Sequence, residues 1–309
     1  MKKTNLFCMT LGVLSVSALS LLAQATDNKM DSDLNIQKSD VRIAQETNLS
    51  YSYVGAADIK QGDAKLGDIS SQTTDLKYVI SPEIKDGLLF RGGVEWERYS
   101  FGLPDAAPLP NTLQSTNLII GFDIQIADQW LMRVEAAPGF YSDFVDLSSR
   151  DINVPVIIGG SYLVNKDLQW VFGLSIDMWR EYPVLPGAGV RWKFADQWVL
   201  NFILPKPRIE YELEKAVTLF VGGDMKGGTY MVNGDFGKNH GRGNLNQTVV
   251  EYSEVRIGGG VAWKPIPFLT FEAQTGAVVM REFNFSRADT SMKSDGAAPY
   301  GEVALSGSF

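Results

Sequence analysis

The most constraining feature of this sequence is an alternation of apolar and polar residues that recurs along most of its length. In the clearest segment, 88–101, the apolar residues Phe90 and Trp96 fall on one parity, and the charged residues Arg91 and Glu95 fall on the other. Successive side chains of a β-strand point to opposite faces of the sheet. The pattern therefore predicts a strand with one apolar and one charged face.

The same alternation predicts about 14 strands, an even number being expected for a closed barrel. Clear segments are 117–126, 130–136, 168–177, 208–213, 254–264 and 269–279, together with the C-terminal segment 298–309. Weaker candidates are 48–54, 75–81, 154–164, 189–194, 198–204 and 217–230. If the short pieces around 187–213 do not all cross, the number of strands falls to twelve.

The amino-terminal segment has the features of a secretory signal peptide. Lys2 and Lys3 are followed by an apolar core at 6–22 and by Ala23-Gln24-Ala25, which fits a cleavage site. We predict a signal peptide at 1–25. The apolar core is short and broken by serines, which argues against a membrane anchor. Cys8, the single cysteine of the chain, lies inside it, so the mature chain lacks disulfides and thiolate chemistry.

The rest of the chain divides into a leader and one large unit. Residues 26–46 are polar and predict a flexible periplasmic leader, and residues 47–309 carry the alternating segments. No stretch after residue 25 has about 18 consecutive apolar residues, as a membrane helix requires. A closed barrel is the other structure that pairs every backbone group inside hydrocarbon. The sequence thus predicts an all-β protein, a transmembrane antiparallel up-and-down β-barrel.

In such a barrel the charged parity must face the lumen. An arginine on the lipid side at mid-bilayer costs roughly 2–4 kcal/mol, and a one-residue slip would expose every charge of a strand. The predicted lumen-lining residues, a possible solute path, are Arg91, Glu95, Glu97, Asp123, Arg133, Glu135, Asp177, Arg191, Arg208, Glu210, Glu212, Glu254, Arg256, Glu272 and Glu302. Acidic members outnumber basic ones, which indicates a wet lumen with a weak preference for cations. A salt-bridged filling that conducts little is the alternative.

Short and long connections alternate, as expected for periplasmic turns and external loops. The long connections are predicted at 55–73, 102–112, 138–153, 231–246 and 286–297. The glycine-rich segment 226–246 has two interpretations, an inward-folded constriction or an external flap.

Aromatic residues lie near both predicted ends of the strands and predict two girdles at the membrane interfaces. The predicted interface aromatics are Trp96, Trp130, Trp170, Trp198, Trp263 and Phe309. Tyr99, Phe101, Phe283 and Phe285 are assigned to the girdle near the long connections.

Little in the sequence points to catalysis or cofactor chemistry. His240, the single histidine, lies in a glycine-rich loop without a rigid partner, and no phosphate loop, dinucleotide fingerprint or zinc spacing occurs. We therefore predict no enzyme activity, no catalytic residue, no cofactor and no metal. The formal net charge of −8 without a basic block argues against nucleic-acid binding.

The C-terminal strand resembles the closing strand of Gram-negative outer-membrane β-barrels, because it alternates and ends in the aromatic Phe309. That resemblance implies the outer membrane, contact with its lipid, and recognition of this strand by the barrel-assembly machinery. The stretch 204–211, followed by Gly222-Gly223 and 227–230, is similar to an outer-membrane family catalogued as a domain of unknown function. This family implies a barrel and supplies no substrate or catalytic residue.

The sequence is compatible with three functions. A channel or passive transporter for small solutes through the polar, net-acidic lumen is favoured. A structural or adhesive barrel whose external loops bind partners is the first alternative. A transporter of hydrophobic compounds is the second, and the acidic, short leader places it last because such transporters use an inserted amino-terminal plug.

Overall fold

The structure, a computed structural model, describes residues 43–105 and 107–309. The predicted signal peptide and residues 26–42 of the predicted leader lie outside the described residues. The first strand begins at Ile43, four residues before the predicted start of the barrel at 47.

The described residues form one continuous sheet of 17 strands. The strands are β1 (Ile43–Gln61), β2 (Ala64–Lys85), β3 (Leu88–Gly102), β4 (Thr112–Ala127), β5 (Trp130–Ala136), β6 (Gly139–Ser142), β7 (Ile152–Asn153), β8 (Val156–Asn165), β9 (Leu168–Ile176), β10 (Val184–Ala195), β11 (Trp198–Phe202), β12 (Arg208–Glu214), β13 (Val217–Met231), β14 (Val249–Ile266), β15 (Leu269–Phe285), β16 (Thr290–Asp295) and β17 (Ala298–Ser308). All except β6, β7 and β16 form a closed antiparallel wall of 14 strands, which confirms the predicted fold class.

The wall closes where the last strand pairs with the first. Leu305 of β17 lies opposite Leu49 of β1, and the pairing runs from Ser308 at one end to Tyr300 at the other. Beyond it, the backbone N–H and C=O groups of Phe309 both bond to Gln45 at 2.9 Å. Closure leaves no sheet edge along this seam, as a barrel in hydrocarbon requires.

The two ends of the barrel differ as predicted. At one end, hereafter the short-turn end, two-residue turns join the strands at 86–87, 128–129, 166–167, 196–197, 215–216 and 267–268. The first residue of β1, Ile43, and the last residue of β17, Ser308, also lie at this end. At the other end, hereafter the loop end, the longest connection is 232–248, which carries a short helix at Phe236–Asn239.

The prediction of a long loop at 55–73 is wrong. These residues continue β1 and β2, and only Gly62 and Asp63 connect the two strands. The apolar alternation fades in this part of the hairpin, where β1 pairs with β16 from Asp58 to Lys60. An ion pair between Lys65 and Asp58 at 2.7 Å adds polar cross-strand contact, which a search for apolar periodicity does not register.

The outer surface of the wall is apolar along the strands. Val94 of β3 lies opposite Leu118 of β4, and both side chains are about half exposed, at 51% and 53%. Asn117 and Ile119, the inner neighbours of Leu118, are buried. Among the described residues, no helix has the length and apolarity needed to cross a bilayer.

Leu118→Arg is expected to lower the free energy of unfolding of the lipid-embedded barrel by about 2–4 kcal/mol, because the arginine would face hydrocarbon near mid-strand. The matched control is Leu147→Arg, at an equally exposed leucine (52%) of the loop end, which should change it little. Urea titration of folding into lipid vesicles measures both. Equal effects would contradict the outward apolar face as a lipid contact.

Candidate functional site in the barrel interior

All fifteen predicted lumen residues lie on the inner side of the wall or at its rim, buried or half-buried. Asp177 follows β9 rather than lying in it. Most of the others fall into ion-pair groups, and the polar interior is therefore crowded with paired charges rather than empty.

The group nearest the short-turn end centres on Arg91. Its guanidinium bonds to Glu46 and to Glu135, each at 2.8 Å, and lies 3.6 Å from Asp123. Arg133 donates twice to the Asp123 carboxylate, at 2.6 and 2.7 Å. This group, hereafter the Arg91 network, joins strands β1, β3, β4 and β5, which lie close together along one side of the wall. Bidentate guanidinium–carboxylate pairs are the geometry that best offsets the cost of burying charge.

A second group lies further toward the loop end. Arg256 bonds to Glu254 at 2.5 Å and to Glu302 at 2.8 Å, and Arg281 bonds to Glu254 at 3.0 Å. Arg256 also donates to Ser52, so that this group links β14 and β15 to both strands of the closing seam. We call it the Arg256 network.

The remaining predicted residues form smaller pairs around the wall. These are Arg208 with Glu272 at 2.7 Å, Arg191 with Glu210 at 3.9 Å, and Glu212 with Lys193 at 2.6 Å. Glu95 lies 3.8 Å from Lys77, a buried lysine that the prediction omitted. Lys77 lies two residues after Asp75 in a weakly apolar strand, so both side chains are expected on the same face of that strand. This alternation is the feature of the sequence that indicated an inward position for Lys77.

Between the networks lies a cavity of about 160 Å³. Its wall contains six carboxylates, those of Asp75, Glu95, Glu97, Glu135, Asp177 and Asp224. It contains three basic side chains, those of Arg180, Lys206 and Lys226. Four of these nine residues, Glu95, Glu97, Glu135 and Asp177, are among the fifteen predicted lumen residues.

The loop end of the lumen is closed by an apolar cluster. Aromatic side chains from the strands pack with Leu109, Val232, Phe236 and Leu245 of the loops, and all four of these are buried. The aromatic members are Tyr99, Phe101, Tyr230, Tyr252, Phe283 and Phe285. We call this group the apolar plug. Tyr99 and Tyr252 meet edge to face at 4.9 Å, a favoured aromatic geometry.

The assignment of Tyr99, Phe101, Phe283 and Phe285 to a membrane girdle is therefore wrong. Tyr99 and Phe101 share the inward parity of Glu95. In β15 the inward-facing positions change at a bulge. The adjacent residues Val255 and Arg256 of β14 lie opposite Met280 and Val278, so one residue of β15 between these two has no partner in β14. A bulge of one extra residue moves all later side chains to the other face.

The segment 226–246 ends β13 and then folds inward, as the first of its two interpretations predicted. Its helical turn buries Phe236, whose ring lies 6.3 Å from that of Phe285. His240, in the same turn, is exposed, and its Nδ1 lies 2.8 Å from the carbonyl oxygen of Phe236. The ring of His240 therefore contacts its own turn.

The predicted interface aromatics lie on the outer surface. Trp130, Trp170, Trp198, Trp263 and Phe309 have exposed fractions between 42% and 57% and cluster near the short-turn end. Trp96 is half-buried on the outward parity of β3. Trp130 packs on Tyr162 and Trp198 on Tyr211, with ring centroids 4.8 and 4.9 Å apart.

Strands β11 and β12 are among the shortest of the wall, with five and seven residues. Strand β13 pairs with β12 only as far as Gly222, and its upper part borders the cavity. Residues 177–183 cover this place: Asp177 accepts a hydrogen bond from Thr229 of β13 at 2.7 Å, and Glu181 accepts one from Asn284 of β15 at 3.0 Å. A loop rather than a strand therefore completes the wall beside the cavity.

Comparison with solved structures finds barrels of the outer membrane. The COG4313 outer membrane channel from Pseudomonas putida F1 is 10% identical, with 90% of this chain and 98% of that chain covered and a TM-score of 0.47. The NanC porin is 12% identical, with coverages of 84% and 98% and a TM-score of 0.39. The Ralstonia pickettii toluene transporter TbuX is 10% identical, with coverages of 86% and 89% and a TM-score of 0.39. Likeness at this level carries no argument about the function of this chain.

Comparison of the sequence itself is more decisive. No curated protein matches it. The profile of one family, described as Domain of unknown function (DUF6268), matches residues 103–294, more than half of the chain. The matched region includes the stretch 204–211 and the glycines of β13 that carried the resemblance noted above. The chain therefore belongs to the DUF6268 family.

Proposed function

We propose that this barrel lies in the outer membrane of a Gram-negative bacterium and serves as a channel or passive transporter for small polar solutes. The observation that carries the proposal is the polar cavity inside the wall, in which six carboxylates face three basic groups. Hydrated charged groups in a closed barrel favour solutes that exchange hydrogen bonds with them. Its net negative charge favours cations.

The apolar outer strands supply the expected contact with membrane lipid. Strand β17, which closes the wall and ends beside Phe309, is the segment that we expect the barrel-assembly machinery to recognise. A predicted signal peptide directs the chain to the envelope. These three features together support the outer membrane as its location.

Passage through the barrel requires a change at the loop end, because the apolar plug closes the lumen there. The segment 232–248 is the element best placed to move, since it carries Phe236 and Leu245 into the plug from a loop. Transport of hydrophobic compounds is less well supported, because the cavity directly beneath the plug is lined by carboxylates.

A structural barrel is the second candidate, and the two buried networks favour it. Arg91 and Arg256 are almost fully buried and each connects several neighbouring strands, which braces the wall from inside. A braced and filled barrel needs no conducting state.

Planar-bilayer recording separates the two candidates. We expect conductance that prefers potassium over chloride across a salt gradient. Glu97→Gln and Asp75→Asn should each shift the reversal potential toward that of a non-selective pore, since each removes a cavity charge. Asp63→Asn, at the exposed tip of the first hairpin, is the control and should leave the reversal potential unchanged. Absence of conductance at every voltage, with the plug intact or disrupted, would contradict the channel and favour the structural barrel.

A further inference from the structure

We infer that the cavity in the barrel binds a small organic cation, a solute with a primary ammonium or guanidinium group. The inference rests on the proposed function for one point only, namely that a solute reaches the cavity. It is carried by the way in which the charges around the cavity are paired.

The basic groups in the cavity wall are already engaged by carboxylates. Lys226 bonds to Glu302 at 2.6 Å, and Lys206 lies 3.8 Å from the same carboxylate. Arg180 lies 3.7 Å from Asp177 and donates to Ser175 at 2.7 Å. These three cations are thus held by acidic partners, one of which, Glu302, lies outside the cavity wall.

Three carboxylates in the wall have only neutral donors. Asp75 accepts from the amide of Asn48 at 2.6 Å, and Asp224 accepts from Gln274 at 3.4 Å. Glu97 accepts from the hydroxyl groups of two tyrosines of the plug, at 2.7 and 3.3 Å. Within the described residues, no lysine or arginine nitrogen lies at ion-pair distance from any of these three carboxylates. Carboxylates away from bulk water are costly unless a cation accompanies them.

Two residues of the cavity wall each carry a buried carboxylate oxygen without a hydrogen-bond donor in the described part of the chain. Asp224 is 2% exposed and Glu135 is 1% exposed, and both belong to the cavity wall. Their Oδ1 and Oε1 atoms, respectively, have no hydrogen-bond partner among the described residues. Buried oxygens of this kind are normally satisfied, so they point to a donor that the chain itself does not supply.

The arrangement suits an organic cation better than a bound divalent metal. Within residues 43–105 and 107–309, no three acidic, histidine or cysteine side chains converge as metal ligands. An ammonium group has three N–H donors and a guanidinium has five, which fits oxygens that are spread around a wall. Tyr141 and Tyr230 also line the cavity, and aromatic rings attract a desolvated cation placed over their faces.

The test uses the full-length mature protein folded in detergent and titrated calorimetrically with 1,4-diaminobutane and with its neutral analogue 1,4-butanediol. We expect the diamine to bind with one site per barrel and the diol not to bind measurably. Glu97→Gln and Asp75→Asn should each weaken the diamine by tenfold or more. Asp63→Asn, outside the lumen, should bind the diamine as the unaltered protein does.

Heat-modifiable migration in gels shows whether each variant is folded, and the comparison of diamine with diol needs no variant at all. Equal binding of diol and diamine, or no binding of either, would overturn the inference. So would variants that are folded and bind unchanged. Conductance recorded on the same preparations keeps the two proposals apart. Conductance without diamine binding overturns the cation site and leaves the channel. Diamine binding without conductance, with the plug intact or disrupted, supports the site and removes the channel.

Discussion

The double substitution Phe236→Ala with Leu245→Ala is expected to raise the single-channel conductance of the reconstituted barrel several-fold. Both side chains are buried in the apolar plug, at 3% and 0% exposure, and both come from the loop 232–248 rather than from the wall. Truncation of a buried leucine or phenylalanine costs about 2–5 kcal/mol. The loop should therefore pack less tightly inside the lumen while the strands stay paired.

The measurement is single-channel recording in planar bilayers at fixed salt, with and without the substitutions. The matched control is Lys238→Ala with His240→Ala, two exposed residues of the same loop. The control should conduct as the unaltered protein does. If the plug variant folds and its conductance equals that of the control, then the plug does not limit passage.

Arg256→Ala is expected to lower the free energy of unfolding by about 1.5–3 kcal/mol, because it removes the cation that Glu254 and Glu302 share, while Arg281 and Lys226 remain as their partners. Arg256 is fully buried between Glu254 and Glu302, and it also donates to Ser52 on the other side of the closing seam. Its loss removes the internal link between β14, β17 and β1. Such a loss is a large fraction of the stability of an ordinary domain.

Urea unfolding in lipid vesicles, followed by tryptophan fluorescence, measures this effect. Arg98→Ala is the control, since Arg98 is exposed on the outward parity of β3 and, among the residues that the structure describes, donates to Ser100 at 3.3 Å. The control should change the free energy of unfolding by less than about 1 kcal/mol. Equal effects at both positions would show that the Arg256 network does not brace the seam.

Much of the wall could be predicted from the sequence because strand alternation is a local property. Segment 88–101 alone, with Phe90 and Trp96 opposite Arg91 and Glu95, indicated both a strand and its lipid face. The fourteen strands and the short-turn end follow from repetition of this pattern and from the turn residues between segments. The energetics of the membrane strengthens this inference, because charged side chains that face lipid destabilise the barrel and therefore face the lumen.

The interior could be predicted only in part. The predicted list contained most members of the Arg91 and Arg256 networks, yet it omitted Arg281, which a bulge in β15 turned inward. It omitted Lys206, whose place in the cavity depends on a loop beyond the short strand β11. A bulge and a loop both break the parity on which the prediction relied.

The sequence by itself determined that this chain forms strands, which face of each strand is apolar, and which charged residues share the opposite face. Only the tertiary structure decided which inner charges meet, where a cavity remains between them, and that aromatic residues close the loop end. The physical reason is that parity is set by neighbours along the chain. Contacts across a lumen are set by the number, the stagger and the unequal heights of all fourteen strands together.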